Sequence, residues 1–345
     1  MSHIYNFYNS RFTIRNSKFL SLIFLILILC IPGFVLAEAG IASKYIGDKG
    51  IENDPDVIFA ENFETGTLTD IGKRWTKVKN IEEISFTSDI PANSSGARSL
   101  QMTTLGGTNP YTYIYKRLSA GYDQLYIRYY VKYASGNKYS HTSGWIGGYN
   151  PPLDGPDPQA GSKPTGSDRI QVAAEPDDSD PPLTDDGTPR FDSYVYWMGM
   201  RVSSDGINYW GNDFINNASI KTTLDKWMCV EVMVKLNNPV DSKNGELVIW
   251  VDGKKISHLG EGFPNGKWVG NSFFPDTTGS PFEGFQWRNA QELKLNWIWI
   301  QHYVAKDLLS LSNVWFDDVV VATKYIGPIN TLSDIPSSPT GLIIK

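Results

Sequence analysis

Two stretches of the chain carry side chains that could move protons or bind a polar ligand. His141, one of only four histidines, lies in NKYSHTSGWIGGYNPP, residues 137–152, beside flexible glycines. The stretch DRIQVAAEP alternates like a β-strand, which points Arg169, Gln171 and Glu175 to one side. Imidazole transfers protons near neutral pH, and guanidinium and amide groups bind ligand oxygens. We therefore predict a cleft lined by this strand, and we interpret the stretch 137–152 as a loop at its edge that supplies His141 and bends at Gly147 and Gly148.

Two further predicted strands present aromatic and amide side chains on one face. In SYVYWMGMR, Tyr194 and Tyr196 point the same way, and a phenol can act as a general acid. In LKLNWIWIQHYV, Trp297, Trp299 and Gln301 share a face, which continues to a tyrosine. We predict that these faces and the cleft described above belong to one groove.

The other histidines are predicted to lie outside this groove. His302 shares a strand face with Ile298, Ile300 and Val304, so we expect a buried core histidine. His258 follows a predicted hairpin on a short return strand and is expected near the surface.

The stretch LYIRYYVKY has one apolar face and one mixed face. The apolar face is predicted to enter the core and holds Leu125, Ile127, Tyr129, Val131 and Tyr133. Arg128 and Tyr130 lie on the other face, between Tyr126 and Lys132. That face suits a groove for an acidic sugar chain, and a solvated outer face is an equal alternative.

The succession of alternating segments predicts an all-β fold. No stretch has a long helical pattern, and Asp252-Gly253 between two strand-like runs indicates a tight hairpin. Strands without intervening helices favour a β-sandwich or jelly roll of two antiparallel sheets. We expect a signal peptide over residues 1–37, one domain over 38–327 and a Pro/Ser-rich tail or linker over 328–345.

The two ends of the predicted domain resemble each other. ASKYIG begins at Ala42 and ATKYIG begins at Ala322. Either the two ends lie side by side at similar positions of the sandwich, or the likeness is chance. Between them, the chain from Tyr149 to Phe191 is long, polar and rich in Pro, Gly and Asp, and such loops in compact domains are usually functional or disordered.

The N-terminus has the three-part order of a secretory signal. Arg11, Arg15 and Lys18 precede the apolar run 19–31, and small residues follow at cleavage spacing. We expect a secreted protein, extracellular or periplasmic, with no membrane contact after cleavage. A retained anchor is the alternative, although the run is shorter than the ~20 residues of a spanning helix. Cleavage would leave Cys229 alone, so no internal disulfide is expected.

Composition and motifs argue against several classes of function, although a hydrolytic glycosidase is not excluded. The net charge is −6 and no basic run is interleaved with aromatics, so a nucleic-acid partner is not expected. No nucleophile elbow, zinc-protease motif or phosphate loop occurs, and the paired carboxylates of jelly-roll glucanases are missing. The segment EPDDSDPPLTDDG holds Asp177, Asp178, Asp180, Asp185 and Asp186. It is interpreted as a solvated acidic loop, with Ca²⁺ as the only cofactor it suggests.

Several of these segments, taken in order, resemble one family. LYIRYYVKY, GWIGGYNPP, AGSKPTG, YVYW, the run from KWMCVEVMVKLN to the hairpin, and NVWFDDVVVA are similar to secreted concanavalin-A-like polysaccharide lyases of the glucuronan and alginate lyase type. The resemblance spans Val57 to Ala322. It implies a concanavalin-A-like jelly roll that cleaves an acidic polysaccharide by β-elimination.

The roles that such a lyase needs can be assigned to residues of this chain. The uronic acid carboxylate must be neutralised, a base must take the C5 proton, and an acid must protonate the leaving oxygen. The resemblance implies that Arg128, Arg169 or Gln171 neutralises the charge and that His141 and Tyr196 transfer the protons. Glu175, Tyr130, Tyr194, Trp297, Trp299 and Gln301 are then expected to bind the substrate. The alternative is a non-catalytic sugar-binding or cell-surface module that stacks sugars on Trp297, Trp299 and Tyr303.

Overall fold

A computed structural model describes residues 39–105, 107, 111–136, 139, 141–177, 184, 186–304 and 311–330. The predicted signal peptide over residues 1–37 and the tail beyond 330 therefore lie outside the described residues. No helix in the described ranges is both long and apolar enough to span a membrane.

The described chain is built from strands, short turns of helix and loops. The strands, in chain order, are β1 (Val57–Glu61), β2 (Lys77–Lys79), β3 (Ile84–Thr87), β4 (Ser99–Leu105), β5 (Tyr111–Tyr122), β6 (Gln124–Tyr133), β7 (Ser143–Tyr149), β8 (Arg169–Asp177), β9 (Arg190–Tyr196), β10 (Trp227–Lys235), β11 (Glu246–Val251), β12 (Lys254–Leu259), β13 (Asn265–Val269), β14 (Ser272–Pro275), β15 (Ser280–Pro281), β16 (Leu295–Tyr303) and β17 (Leu311–Ala322). The helical elements are α1 (Leu68–Arg74) and the 3₁₀ turns Ile41–Lys44, Ile51–Asn53 and Ile81–Glu83.

Two large antiparallel sheets pack face to face, as the all-β jelly-roll prediction requires. One sheet runs β12-β11-β10-β6-β17-β4-β3, with β1 also paired to β17, and the other runs β2-β5-β16-β7-β8-β9. The inner face of β6 packs against the inner faces of β7, β8 and β16, because Leu125, Ile127, Ile146, Val172 and Ile300 belong to one buried cluster. The alternation of each strand therefore leaves its other face outside the sandwich.

The predicted hairpin joins β11 to β12. Val251 pairs with Lys254, and Asp252 and Gly253 between them have φ values of 49° and 73°. Two consecutive residues with positive φ match the twist of the flanking strands. The prediction from the Asp-Gly dipeptide is confirmed.

The glycine-rich stretch after His141 is a strand, not a loop as predicted. Strand β7 lies between β16 and β8 in the middle of the six-stranded sheet. A Cβ at Gly147 would lie 2.1 Å from the Ile170 carbonyl oxygen and 2.3 Å from the Trp297 ring, and one at Gly144 would lie 2.5 Å from the Tyr129 ring. These glycines therefore make room for large neighbouring rings rather than for a bend in the backbone.

The two ends of the domain lie side by side on the outer face of the eight-stranded sheet. The backbone N–H of Ile41 donates to the Tyr325 carbonyl at 3.0 Å, and that of Ala42 donates to the Ile326 carbonyl at 2.8 Å. Ile41, Ala42 and Ile326 are buried together against β17. The similar ASKYIG and ATKYIG segments thus meet.

Candidate active site

A groove crosses the outer face of the six-stranded sheet. Its floor is a row of paired residues that crosses the strands from β16 to β9: Trp299, Trp145, Ala173 and Tyr194. Ala173 is the small member of the row, and the rings of Trp145 and Tyr194 approach each other across it, with centroids 6.0 Å apart. The ring of His141 lies against both, with its centroid 4.3 Å from that of Tyr194 and 6.3 Å from that of Trp145.

One half of the groove is aromatic. It is a cavity of about 500 Å³. Rings from the strands line it, namely Tyr111, Tyr113, Trp145, Tyr194, Tyr196, Trp299 and Tyr303, and the ring of His141, just before β7, joins them. The loop after β7 adds Pro156, Pro158 and Ala160, and the loop after β9 adds Trp210. These two loops are joined by an antiparallel bridge between Gly161 and Tyr209, so together they form one wall.

The other half of the groove is polar and lies along the edge strand β9. It is a cavity of about 390 Å³ that shares His141, Tyr194 and Trp210 with the aromatic half. Its remaining polar lining residues are Glu175, Asp177, Arg190, Asp192, Ser193, Asp213, Asn216, Asn271 and Ser272. A chain molecule laid across the strands would therefore pass from rings, over His141, to carboxylates and amides.

His141 is held in place at the junction of the two halves. Its backbone has φ of 54°, and its carbonyl accepts a hydrogen bond from Nε2 of Gln301 at 2.7 Å. Its Nδ1 lies 2.9 Å from Oε1 of the buried Glu175, while 39% of the histidine side chain is exposed. A carboxylate accepts the N–H of a neutral imidazole, which leaves the ring lone pair on Nε2.

The two predicted groove tyrosines lie beside this histidine. The hydroxyls of Tyr194 and Tyr196 are 3.4 Å apart, and the Tyr196 hydroxyl also accepts the N–H of Gly161 at 3.3 Å. Burial raises the pKa of both phenols, and the neighbouring phenol and Glu175 raise that of Tyr194 further. Both tyrosines therefore hold their protons at neutral pH and can donate them.

The predicted glutamines both border the groove, in different ways. Gln171 is 1% exposed, and its Nε2 donates to the Tyr149 hydroxyl at 3.0 Å and towards the Asp157 carbonyl at 3.4 Å. Its Oε1 is buried and has no hydrogen-bond partner in the described part of the chain. Gln301 uses one amide N–H on the His141 carbonyl, which leaves its second N–H for a ligand.

Arg169 lies on the same sheet as Tyr196 but not in the groove lining. Its guanidinium is 2% exposed and is bound by the side chains of Asp168 and Gln159 and by Ser162. These contacts hold the loop after β7 down on the sheet. The expectation that Arg169 reaches a substrate is corrected: the loop covers it, and it positions the groove wall.

Arg128 and Tyr130 are not part of the groove. They lie on the outer face of β6, which belongs to the other sheet. Alternation correctly placed them opposite the core residues, but it does not reveal which sheet β6 joins. Arg128 is fully buried in an ion pair with Asp48, and the Tyr130 hydroxyl accepts the N–H of Ile329 at 2.9 Å. The terminal segments therefore cover the face that was predicted to bind sugar.

Of the two predicted tryptophans, only Trp299 reaches the groove. Trp297 is fully buried and stacks on Tyr149, with ring centroids 5.2 Å apart, beneath the loop after β7. The Tyr115 hydroxyl donates to the Leu153 carbonyl of that loop at 3.0 Å, and this hydrogen bond holds the loop against the sheet. Trp297 therefore lies beside Trp299 on the outer face but under this loop, so it cannot stack on a sugar.

His302 is outside the groove, as predicted. It is fully buried on the inner face of β16, where its Nδ1 lies 3.0 Å from the Thr142 hydroxyl and its Nε2 lies 3.1 Å from the Ser312 carbonyl. Burial lowers its pKa to about 4. His258 is half-buried and pairs with Glu246 at 2.9 Å.

The described part of the acidic loop uses its carboxylates on the protein itself. Asp177 pairs with Arg190, and Asp186 pairs with Lys221 at 2.6 Å. Asp178, Asp180 and Asp185 lie outside the described residues. Within the described ranges, no group of three or more His, Cys, Asp or Glu side chains could hold a metal ion.

Several residues that line the groove were not predicted from the sequence. Trp145 was hidden in a stretch interpreted as a loop, and Trp210 lies in a loop without a strand pattern. Tyr111 and Tyr113 were detectable, because YTYIYKRL places both on one strand face, but nothing in the sequence showed that β5 joins the same sheet as β16.

Comparisons with known proteins reveal distant structural likeness only. No family model matches the sequence, and no curated protein matches it. The structure is similar to a variant of the alginate lyase Aly36B in complex with alginate trisaccharide, at 12% identity and a TM-score of 0.49, covering 78% of this chain and 98% of that one. It is also similar to the alginate lyase vAL-1 from Chlorella virus, at 13% identity and a TM-score of 0.47, covering 78% and 100%.

A third similar structure is the endo-β-1,4-glucuronan lyase from the fungus Trichoderma reesei. The identity is 11% and the TM-score 0.38, over 77% of this chain and 95% of that one. These proteins are of the type that the sequence resembles. At such identities and TM-scores the likeness carries no conclusion about activity, so the function must be argued from the groove.

Proposed function

We propose that the protein is an exported polysaccharide lyase that cleaves a uronic-acid-containing chain by β-elimination. The observation that carries this proposal is the packing of His141 on Tyr194 at the junction of the two groove halves. A base and an acid thus lie side by side, between an aromatic platform and a polar wall that can hold neighbouring sugars.

The proposal gives each proton transfer to one residue. Nε2 of His141 removes the C5 proton of the uronic acid as the C4–O bond breaks and a C4=C5 double bond forms. The Tyr194 hydroxyl protonates the leaving glycosidic oxygen, in place of the Tyr196 hydroxyl expected from the sequence, because Tyr194 is the tyrosine whose ring packs on His141. Tyr196 behind it orients that hydroxyl. Glu175 holds the imidazole tautomer that makes Nε2 the base.

The groove also offers groups for the sugar itself. The second N–H of Gln301 is assigned to the uronic acid carboxylate, whose charge must be offset before C5 becomes acidic. The buried Oε1 of Gln171 is an acceptor for a sugar hydroxyl. Trp299, Trp145 and Trp210 supply the rings on which sugars stack.

The proposal is tested by ultraviolet absorbance of the unsaturated product on alginate, glucuronan, pectate and ulvan. We expect His141→Ala and Tyr194→Phe to lower turnover by ~10²–10⁴-fold, the usual worth of a general acid or base. His258→Ala is the matched control, since His258 contacts Glu246 far from the groove lining, and it should keep full turnover. Full turnover in both groove variants would disprove the assignment.

A non-catalytic sugar-binding module is the second candidate. One observation favours it: seven aromatic side chains on strands line the aromatic half, together with His141 and Trp210 from loops. Such a surface can bind sugar without any proton transfer. Sugar binding without any unsaturated product from any polymer would support it over the lyase.

Export is part of the proposal. The basic, apolar and small-residue order of the first 39 residues supports it. Intact-mass measurement of the secreted protein should give a chain that begins near Glu38 or Gly40, and secreted material that still begins at Met1 would contradict it.

A further inference from the structure

We infer that the polar half of the groove accepts an uncharged sugar, so that the substrate is a mixed polysaccharide in which the uronic acid alternates with a neutral or N-acetylated sugar. The inference rests on the proposed function for placing the uronic acid at His141. It adds the class of sugar that follows on the polar side.

The two halves are continuous, so one sugar chain must meet both. His141, Tyr194 and Trp210 line both cavities. Along β9 the groove continues from Tyr194 to Asp192, two residues further, or about 7 Å. The unit next to the reacting sugar therefore lies over the polar wall.

That wall is rich in carboxylates. Glu175, Asp177, Asp192 and Asp213 all line the polar half. Arg190, the only Lys or Arg among its described lining residues, is already paired with Asp177 and lies 3.4 Å from Asp192. A uronic acid placed there would bring a further negative charge into a partly buried site where ionised carboxyls are already disfavoured and the one guanidinium is engaged by the protein's own carboxyls.

Ionisation of the carboxyl groups on this wall is already disfavoured by their surroundings. Burial raises the pKa of Asp213 well above its usual range, and the charges of Asp192 and Asp177 raise it further. A substrate carboxylate at the same place would experience the same repulsion, since like charges disfavour the ionised form.

The wall also has polar groups that an uncharged sugar can satisfy. Arg190 is 5% exposed, and its Nε–H has no hydrogen-bond partner among the described residues. The buried Oδ1 of Asn216 likewise has no hydrogen-bond partner among them. A sugar hydroxyl or acetamido group offers a donor and an acceptor together without adding charge. The unmet donor and acceptor in one cavity thus fit such a group.

The inference is tested by binding, which does not depend on turnover. Two hexasaccharides are titrated at low ionic strength and followed by tryptophan fluorescence: one of glucuronic acid alone, and one that alternates glucuronic acid with N-acetylglucosamine. We expect the alternating oligosaccharide to bind about tenfold more tightly. The preference should shrink as salt screens the repulsion.

A charge-changing pair of variants locates the effect. Phe274 lines the polar half, is partly exposed and carries no charge. Phe274→Lys should reduce the ratio of the two affinities several-fold, because the added positive charge favours the glucuronic acid hexasaccharide. Phe274→Gln, which also loses the ring but adds no charge, should keep the wild-type ratio.

The outcomes separate this inference from the proposed function. Equal or tighter binding of the glucuronic acid hexasaccharide by the wild type at low salt would overturn the inference, as would identical behaviour of the two Phe274 variants. Binding with the expected preference but no unsaturated product would overturn the lyase proposal alone. If neither oligosaccharide binds, both are overturned.

Discussion

His302 should make the protein sensitive to mild acid. The imidazole is fully buried between Thr142 and Ser312, and burial lowers its pKa from 6.5 to about 4. The folded protein therefore keeps His302 neutral at a pH where the unfolded chain binds a proton. Stability is unaffected by this group above pH 6.5 and falls as the pH drops towards 4.

The size of the loss follows from the two pKa values. Each pH unit between them costs up to about 1.4 kcal/mol, so the loss from this one group is about 2 kcal/mol by pH 5 and about 3 kcal/mol by pH 4. Such a loss is a large part of the stability of an ordinary domain.

The assay is urea unfolding of the wild type and of His302→Gln at several pH values from 7.5 to 4.5. Glutamine can still donate to the Ser312 carbonyl but does not titrate. The variant should be less stable at pH 7.5, and the difference should narrow as the pH falls. His258→Gln, at a half-buried surface site, serves as the control and should parallel the wild type. A constant difference between wild type and His302→Gln across this range would refute the reasoning.

Three further predictions concern stability and the groove wall. Gly147→Ala should destabilise the fold by about 3 kcal/mol in urea unfolding, because its Cβ would lie 2.1 Å from the Ile170 carbonyl oxygen of the neighbouring strand. Gly72→Ala in α1, where the added Cβ has open space around it, should stabilise the fold by up to about 1 kcal/mol. Glu231 has its pKa raised to about 7 by burial, so its contribution to stability should fall as the pH rises from about 4.5 to 7, and Glu231→Gln should abolish that fall. If the lyase proposal holds, Arg169→Ala should raise KM about tenfold with little change in kcat, because Arg169 holds the loop after β7 and touches no reacting atom. A tenfold loss in kcat would instead show a direct role for Arg169.

Periodicity in the sequence predicted the strands and the direction of their side chains well. It separated His302 from His141, put Leu125 and Ile127 in the core opposite Arg128, and marked the Asp-Gly hairpin. These features depend on neighbours along one strand, where side chains alternate with a period of two.

Periodicity failed wherever a residue's surroundings come from distant segments. The face of β6 that carries Arg128 looked like a groove lining and is covered by the segments around Asp48 and Ile329. Arg169 looked like a ligand for a sugar and is bound by a loop. The glycines of β7 looked like a bend and are the sites where the rings of Trp297 and Tyr129 approach the backbone.

The sequence by itself determined the all-β class and the inner and outer faces of most strands. Only the tertiary structure decided which outer face is open. Strand order in a sheet and the path of covering loops arise from pairings between residues far apart in the chain, which a local pattern does not encode. For that reason His141 and Tyr194 could be named from the sequence, while their meeting over Ala173, between an aromatic and an acidic half of one groove, could not.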